Sequence, residues 1–95
     1  MTSLKAATDV LRATLAAAQS ERAQRPDLVD GPDGPECGWA AFERARMHDT
    51  VNAIRAERGL PAVSVEDIVR VERLAVGHSD YSLKFAYYCA ELAEK

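Results

Sequence analysis

The chain has 95 residues, with 12 basic and 15 acidic side chains and a formal net charge of −3 at pH 7. A chain of this length forms one domain and buries only about 60–65% of its unfolded surface, so its core is thin. The slightly acidic balance gives no electrostatic attraction to nucleic acid or to an anionic membrane. No apolar stretch approaches the ~20 residues of a membrane span, and the polar N-terminal segment is a poor signal peptide. These features predict a soluble cytoplasmic domain with reduced thiols.

The first predicted helix covers residues 3–24. Its apolar residues recur at helical spacing along one narrow stripe that is lined with alanine. The large members of the stripe are Leu4, Leu11 and Leu15. The stripe resembles a short coiled-coil seam but lacks the consistent flanking charges of one. The sequence leaves open whether this helix packs on its own chain or on a neighbouring one.

A loop is predicted over residues 25–37, because proline and glycine recur there and disfavour a helix. Its acids follow one another every third residue, at positions 27, 30, 33 and 36. An EF-hand calcium loop has a different ligand spacing. The segment is therefore predicted to be a solvated acidic loop and not a calcium site.

The second predicted helix covers residues 38–58. Gly59 is suited to end it in a left-handed conformation, and Pro61 follows closely, as is typical after a helix end. Polar side chains share one side of this helix: Arg44, His48, Asn52 and Arg55. We expect His48, which lies on that side, to face solvent.

The third predicted helix is short, residues 65–76, with Ser64 as its N-cap. Apolar residues build a broad face on it: Val65, Ile68, Val69, Val71, Ala75 and Val76. Glu72 lies inside this face, where a charged group needs a partner or a route to water. We expect a structural pairing for Glu72 with His78, Arg46 or a tyrosine hydroxyl.

The fourth predicted helix, residues 80–94, carries four of the six aromatic residues. At about 100° of rotation per residue, Tyr81, Phe85 and Tyr88 lie on one side of it. Leu83 and Tyr87 lie on nearly the opposite side. A helix with two apolar sides is central in its own bundle, lies between that bundle and a partner, or leaves one apolar side merely exposed, and these alternatives remain open.

The four segments define the predicted fold class. Each shows helical spacing or helix-end signals, and no stretch shows the sustained alternation of a half-buried strand. We therefore predict an all-α fold: a single-domain small helical bundle of about four helices, with the third helix short. The fourth helix is predicted to be central or interfacial.

Two cysteines and two histidines are the candidates for site chemistry: Cys37, His48, His78 and Cys89. Their spacing lacks the close ligand pairs that zinc sites usually show. Cys37 lies near a predicted helix start, which lowers a thiol pKa, but no residue orients a histidine toward it. We therefore predict no bound metal, no cofactor and no enzymatic activity.

DNA binding is an alternative prediction, because the second and third helices flank a short turn as in a helix-turn-helix motif. The exposed side of the third helix would contact DNA, and it offers Glu66 and Asp67 beside Arg70 and Arg73. The two acids lie at the helix end that would enter the groove, where they repel phosphates. A helix-turn-helix regulator is therefore the second hypothesis.

The last third of the chain carries one resemblance, in the stretches "GLPAVSVEDI" and "VERLAVGHSDYSLKFAYYCAEL". It resembles segments of short uncharacterised helical proteins of actinobacteria and their phages. The resemblance implies a cytoplasmic bacterial or phage setting and implies no activity, cofactor or site.

The leading functional prediction is a small non-enzymatic protein-interaction or assembly module that forms a homo-oligomer or binds another protein. It follows from apolar stripes that exceed the needs of a thin single core. Leu83 and Tyr87 are the predicted contact residues, joined by Leu4, Leu11 and Leu15 of the first helix.

Overall fold

A computed structural model of the chain describes residues 3–25 and 35–94, with side chains from residue 41 onward in the second range. These residues form four α-helices and no strand: α1 (Leu4–Ala23), α2 (Pro35–Glu57), α3 (Val65–Val76) and α4 (Tyr81–Glu94). The predicted all-α helical bundle with a short third helix is confirmed. Most of the predicted loop lies outside the described residues.

The start of α2 differs most from the sequence prediction. The helix begins at Pro35, three residues before the predicted start at Gly38. Proline is well accepted at the first position of a helix, because the N–H of that position has no intrahelical partner to lose. The proline that was interpreted as part of the loop therefore opens the helix instead.

Polar side chains fix two of the helix starts. Ser3 accepts a hydrogen bond from the backbone N–H of Ala6 at 3.1 Å, which caps α1. At the start of α3, Ser64 Oγ accepts from the N–H of Asp67, and the Asp67 carboxylate accepts from the N–H of Ser64 at 3.2 Å. This reciprocal capping box also lowers the pKa of Asp67, because the hydrogen bonds favour its charged form.

The fourth helix is the central element of the bundle. It packs against α1, α2 and α3, whereas α1 and α3 do not pack on each other within the described part of the chain. The residues of α4 that have no exposed surface are Phe85, Ala86, Cys89, Ala90 and Ala93. The structure therefore covers most of the circumference of α4 within one chain.

Helix α1 supplies one wall of this core. Its buried residues are Ala7, Leu11, Leu15 and Ala18, and α4 likewise buries three alanines on its own side. Small side chains at a helix contact allow the axes to approach to the low end of the usual range of about 8–10 Å. The abundant alanine thus supports close packing of helices, although each alanine buries little area.

The polar side of α2 turns toward the α2–α3 connection. Asn52 holds both backbone groups of Val63: its side-chain oxygen accepts from the N–H at 2.8 Å, and its amide donates to the carbonyl at 3.2 Å. His48 Nε2 lies 2.8 Å from the same carbonyl oxygen. Arg55 donates to the carbonyl of Leu92 at 2.7 Å. The expectation of a solvent-facing His48 is therefore wrong, because the connection folds back over this side of α2.

Candidate interaction surface

The part of α4 that the bundle leaves uncovered contains Leu83 and Tyr87. Leu83 is 42% exposed and Tyr87 is 37% exposed, although the leucine side chain and the tyrosine ring are large and apolar. They lie one helical turn apart, so their side chains form a continuous patch. Ala90 belongs to the same side of the helix by sequence spacing, yet it has no exposed surface. On the second apolar side of α4, Ala90 is thus buried in the core, whereas Leu83 and Tyr87 remain partly exposed to solvent.

Charged and aromatic neighbours border this patch. The Lys84 ammonium group lies 6.0 Å from the centre of the Tyr87 ring. The ring of Tyr88 meets Tyr87 edge-on, with 5.9 Å between the ring centres. These contacts restrict the orientation of the Tyr87 ring, and a restricted aromatic side chain loses less entropy when it becomes part of an interface.

An open groove of about 540 Å³ adjoins Leu83. It lies between α1 and the first turn of α4, and its lining includes Arg12, Gln19, Asp80 and Leu83. Both polar and apolar side chains line it, and it is open to solvent. The groove extends the uncovered surface of α4 toward α1.

The structure removes two residues from the predicted contact surface. Leu11 is 0% exposed and Leu15 is 1% exposed, because α1 packs its leucine stripe on the core of its own chain. Leu4 is half-buried against the same core. The expectation that α1 contributes Leu11 and Leu15 to a contact is therefore corrected, and Leu83 with Tyr87 carry the surface.

Exposed apolar residues also occur on other helices. On α3, Ile68 and Ala75 are fully buried and Val71 is half-buried against the core, so the bundle covers only part of the predicted apolar face. Val65 is 44% exposed and Val76 is 63% exposed. These two lie at opposite ends of α3, about 16 Å apart along its axis. They do not form a continuous pair as Leu83 and Tyr87 do.

Glu72 forms a structural ion pair, but with a different partner from those predicted. Arg44 donates to both of its carboxylate oxygens, at 3.0 and 3.2 Å. Arg46, one of the predicted partners, pairs instead with Glu21 of α1 at 3.2 Å. The bidentate geometry holds α3 to α2 and neutralises an acid within the apolar face.

Glu43 is a buried acid that the sequence analysis did not identify. It is 1% exposed, the Arg22 Nε lies 3.6 Å from one of its carboxylate oxygens, and neither oxygen makes a hydrogen bond within the described part of the chain. Burial raises the pKa of Glu43 to about 7, against a lowering effect of Arg22. Its position four residues before Met47, on the stripe that Val51 continues, was the available signal.

Two of the groups considered for site chemistry, Cys89 and His78, lie on α4 and in the turn that precedes it. Burial in the core, with a smaller effect from Glu72, raises the pKa of Cys89 to about 12, so its thiol is a poor nucleophile. His78 Nε2 lies 3.4 Å from the Tyr88 hydroxyl oxygen. Among the side chains of residues 3–25 and 41–94, no three histidine, cysteine or acidic groups are placed to hold a metal ion. The side chain of Cys37 lies outside those that the structure describes.

Comparison with known proteins finds no similar family model, no similar curated protein and no similar solved structure. Among the described helices, none is both long enough and apolar enough to cross a membrane.

Proposed function

We propose that this chain is a small non-enzymatic protein-interaction or assembly module that forms a homodimer through the uncovered side of α4. The carrying observation is the adjacent exposure of Leu83 and Tyr87 on a helix that is otherwise surrounded by its own bundle. Large apolar side chains that lie together on a surface are typical of interaction sites. Tyrosine suits this role because its ring packs while its hydroxyl can remain hydrated.

Association would stabilise the chain by burying apolar surface that its thin core leaves exposed. Full burial of a large apolar side chain contributes about 1.5–3 kcal/mol, and both residues retain more than a third of their exposure in the single chain. A dimer would remove that remaining surface from water twice, once in each copy. A patch built on one short helix is small for a stable interface, so we expect a micromolar dissociation constant.

The proposal includes a cytoplasmic setting. Cys89 is a free thiol in the core, which is the usual state in a reducing compartment. The raised pKa of this thiol and the pairing of Glu72 with Arg44 agree with a structural use of these groups, and so support a non-enzymatic role.

The experiment is sedimentation equilibrium from about 5 to about 500 μM, a range that brackets a micromolar dissociation constant. Wild type is expected to dimerise reversibly. Tyr87→Glu is expected to raise the dissociation constant by about 30-fold or more, because it buries a charge at the centre of the contact. Val10→Glu is the matched control, since Val10 is 47% exposed on α1. A monomeric wild type, or equal effects of the two variants, contradicts the proposal.

The helix-turn-helix alternative remains a prediction with weaker support. Asp67 is engaged in the cap of α3 and forms an ion pair with Arg70 at 3.1 Å, so part of the basic charge of that face is neutralised. Exposed Glu66 adds negative charge to the same helix start. A salt-dependent mobility shift with DNA at low salt would favour this alternative over the dimer.

A further inference from the structure

Resting on the proposed homodimer, we propose the arrangement of its two chains: the α4 helices pack antiparallel, with Lys84 of each copy beside Glu91 of the other. The occupant of the uncovered surface of α4 is thus a second copy of this chain. Two features of α4 support this arrangement: the spacing of Lys84 and Glu91 along the helix, and the absence of an ion-pair partner for either among the described side chains.

The spacing places Lys84 and Glu91 symmetrically around the exposed tyrosine. Seven residues separate them, which is about 10.5 Å along the helix axis and within about 20° around it. Tyr87 lies close to their midpoint along the axis, and both charges are displaced from it by about 40–60° in the same direction around the helix. A two-fold axis that passes beside Tyr87, perpendicular to the two helices, brings Lys84 of one copy to the level of Glu91 of the other.

Both charges are available for a contact between copies. Neither Lys84 nor Glu91 forms an ion pair with any residue whose side chain the structure describes, and both are half-buried at the border of the patch. Glu94, on the same side, is already held by Arg58 at 4.0 Å. The Lys84 ammonium group approaches the Tyr87 ring, at 6.0 Å from its centre. Lys84 and Glu91 thus border the patch without an ion-pair partner among the described side chains.

The alternative orientation brings no opposite charges together. In a parallel pair of α4 helices, the two-fold axis runs along the helices and places Lys84 and Glu91 of one copy on the opposite edge of the contact from those of the other, so no opposite-charge contact forms. The antiparallel pair has two opposite-charge contacts by symmetry, one on each side of the tyrosines. The antiparallel orientation is therefore the one in which the charges of one copy are complementary to those of the other.

The test is a charge exchange measured by sedimentation equilibrium at low salt. Lys84→Glu and Glu91→Lys are each expected to raise the dissociation constant about tenfold, because each replaces two attractive contacts by two repulsive ones. The double variant, Lys84→Glu with Glu91→Lys, restores opposite charges across the axis and is expected to return to within about threefold of wild type.

Arg73→Glu is the matched control for net charge, since it changes the charge of the chain as Lys84→Glu does but lies exposed on α3. Single variants that act no more strongly than this control, or a double variant as weak as the singles, would overturn the antiparallel pairing while the dimer itself stands. A wild-type chain that stays monomeric would overturn both the pairing and the proposed function. The pairing is supported if both single variants weaken the dimer more than the control does and the double variant restores it.

Discussion

The two sides of α4 have similar residues and opposite surroundings. Phe85 and Cys89 on one side have no exposed surface and contact the core, while Leu83 and Tyr87 on the other remain more than one-third exposed. The fold of one chain explains the apolar residues of the covered side, because they pack in the core. It does not explain those of the uncovered side, and this difference is the basis of the proposed function.

Truncation of a ring on the covered side should have the largest effect. Phe85→Ala leaves a cavity at the centre of the bundle and is expected to lower the free energy of unfolding by about 3–5 kcal/mol. Chemical denaturation followed by circular dichroism measures this loss. Tyr87→Ala is the comparison two residues away, and it is expected to cost about 1 kcal/mol or less in the monomer. Equal losses for the two variants would show that the two sides are not distinct.

Glu43 is a second buried group of the bundle, and its effect on the free energy of unfolding depends on pH. Burial raises the pKa of Glu43 from 4.5 to about 7, so the unfolded chain releases this proton first as the pH rises. The contribution of Glu43 to stability is full below pH 4.5 and is lost between pH 4.5 and about 7. Groups facing it are Arg22 from α1, the Glu72 and Arg44 pair, and Tyr81 from α4.

Glu43→Gln should therefore be more stable than wild type at pH 8, by about 3 kcal/mol, and close to wild type at pH 4. Denaturation midpoints across this range measure the divergence. Glu57→Gln changes an exposed acid of the same helix and serves as the control. Parallel stability curves for Glu43→Gln and wild type would contradict the assignment of a buried, unsatisfied carboxylate.

Truncation on the uncovered side should affect association and leave the monomer intact. Leu83→Ala is expected to raise the dimer dissociation constant about tenfold, because it removes apolar area that only the dimer buries completely. Unfolding of the monomer at low protein concentration is expected to change by less than about 1 kcal/mol. A large loss of monomer stability with unchanged association would place Leu83 in the core.

Much of the fold could be predicted from local signals. Ser64 with Asp67, and the glycine at position 59 with its φ of 71°, mark helix ends through backbone chemistry that depends on few neighbours. The start of α2 could not be placed as well, because a proline either interrupts a helix or opens it, and its sequence context does not decide between these roles.

The surface was harder to predict than the helices. Helical spacing groups Leu83, Tyr87 and Ala90 on one side, but spacing does not show where a neighbouring helix ends, and the structure buries the alanine while it exposes the other two. The helical spacing of Leu11 and Leu15 agrees equally with burial in the core of one chain and with a coiled-coil contact between two chains. Only the tertiary arrangement decides between these, and it places them inside the chain.

The association state of the unmodified protein is the most direct test of the account. Sedimentation equilibrium of wild type should show a reversible transition from the 10.4 kDa monomer to a species of twice that mass as concentration rises into the micromolar range. A single 10.4 kDa species at every concentration up to about 500 μM would contradict the claim that a second copy covers Leu83 and Tyr87.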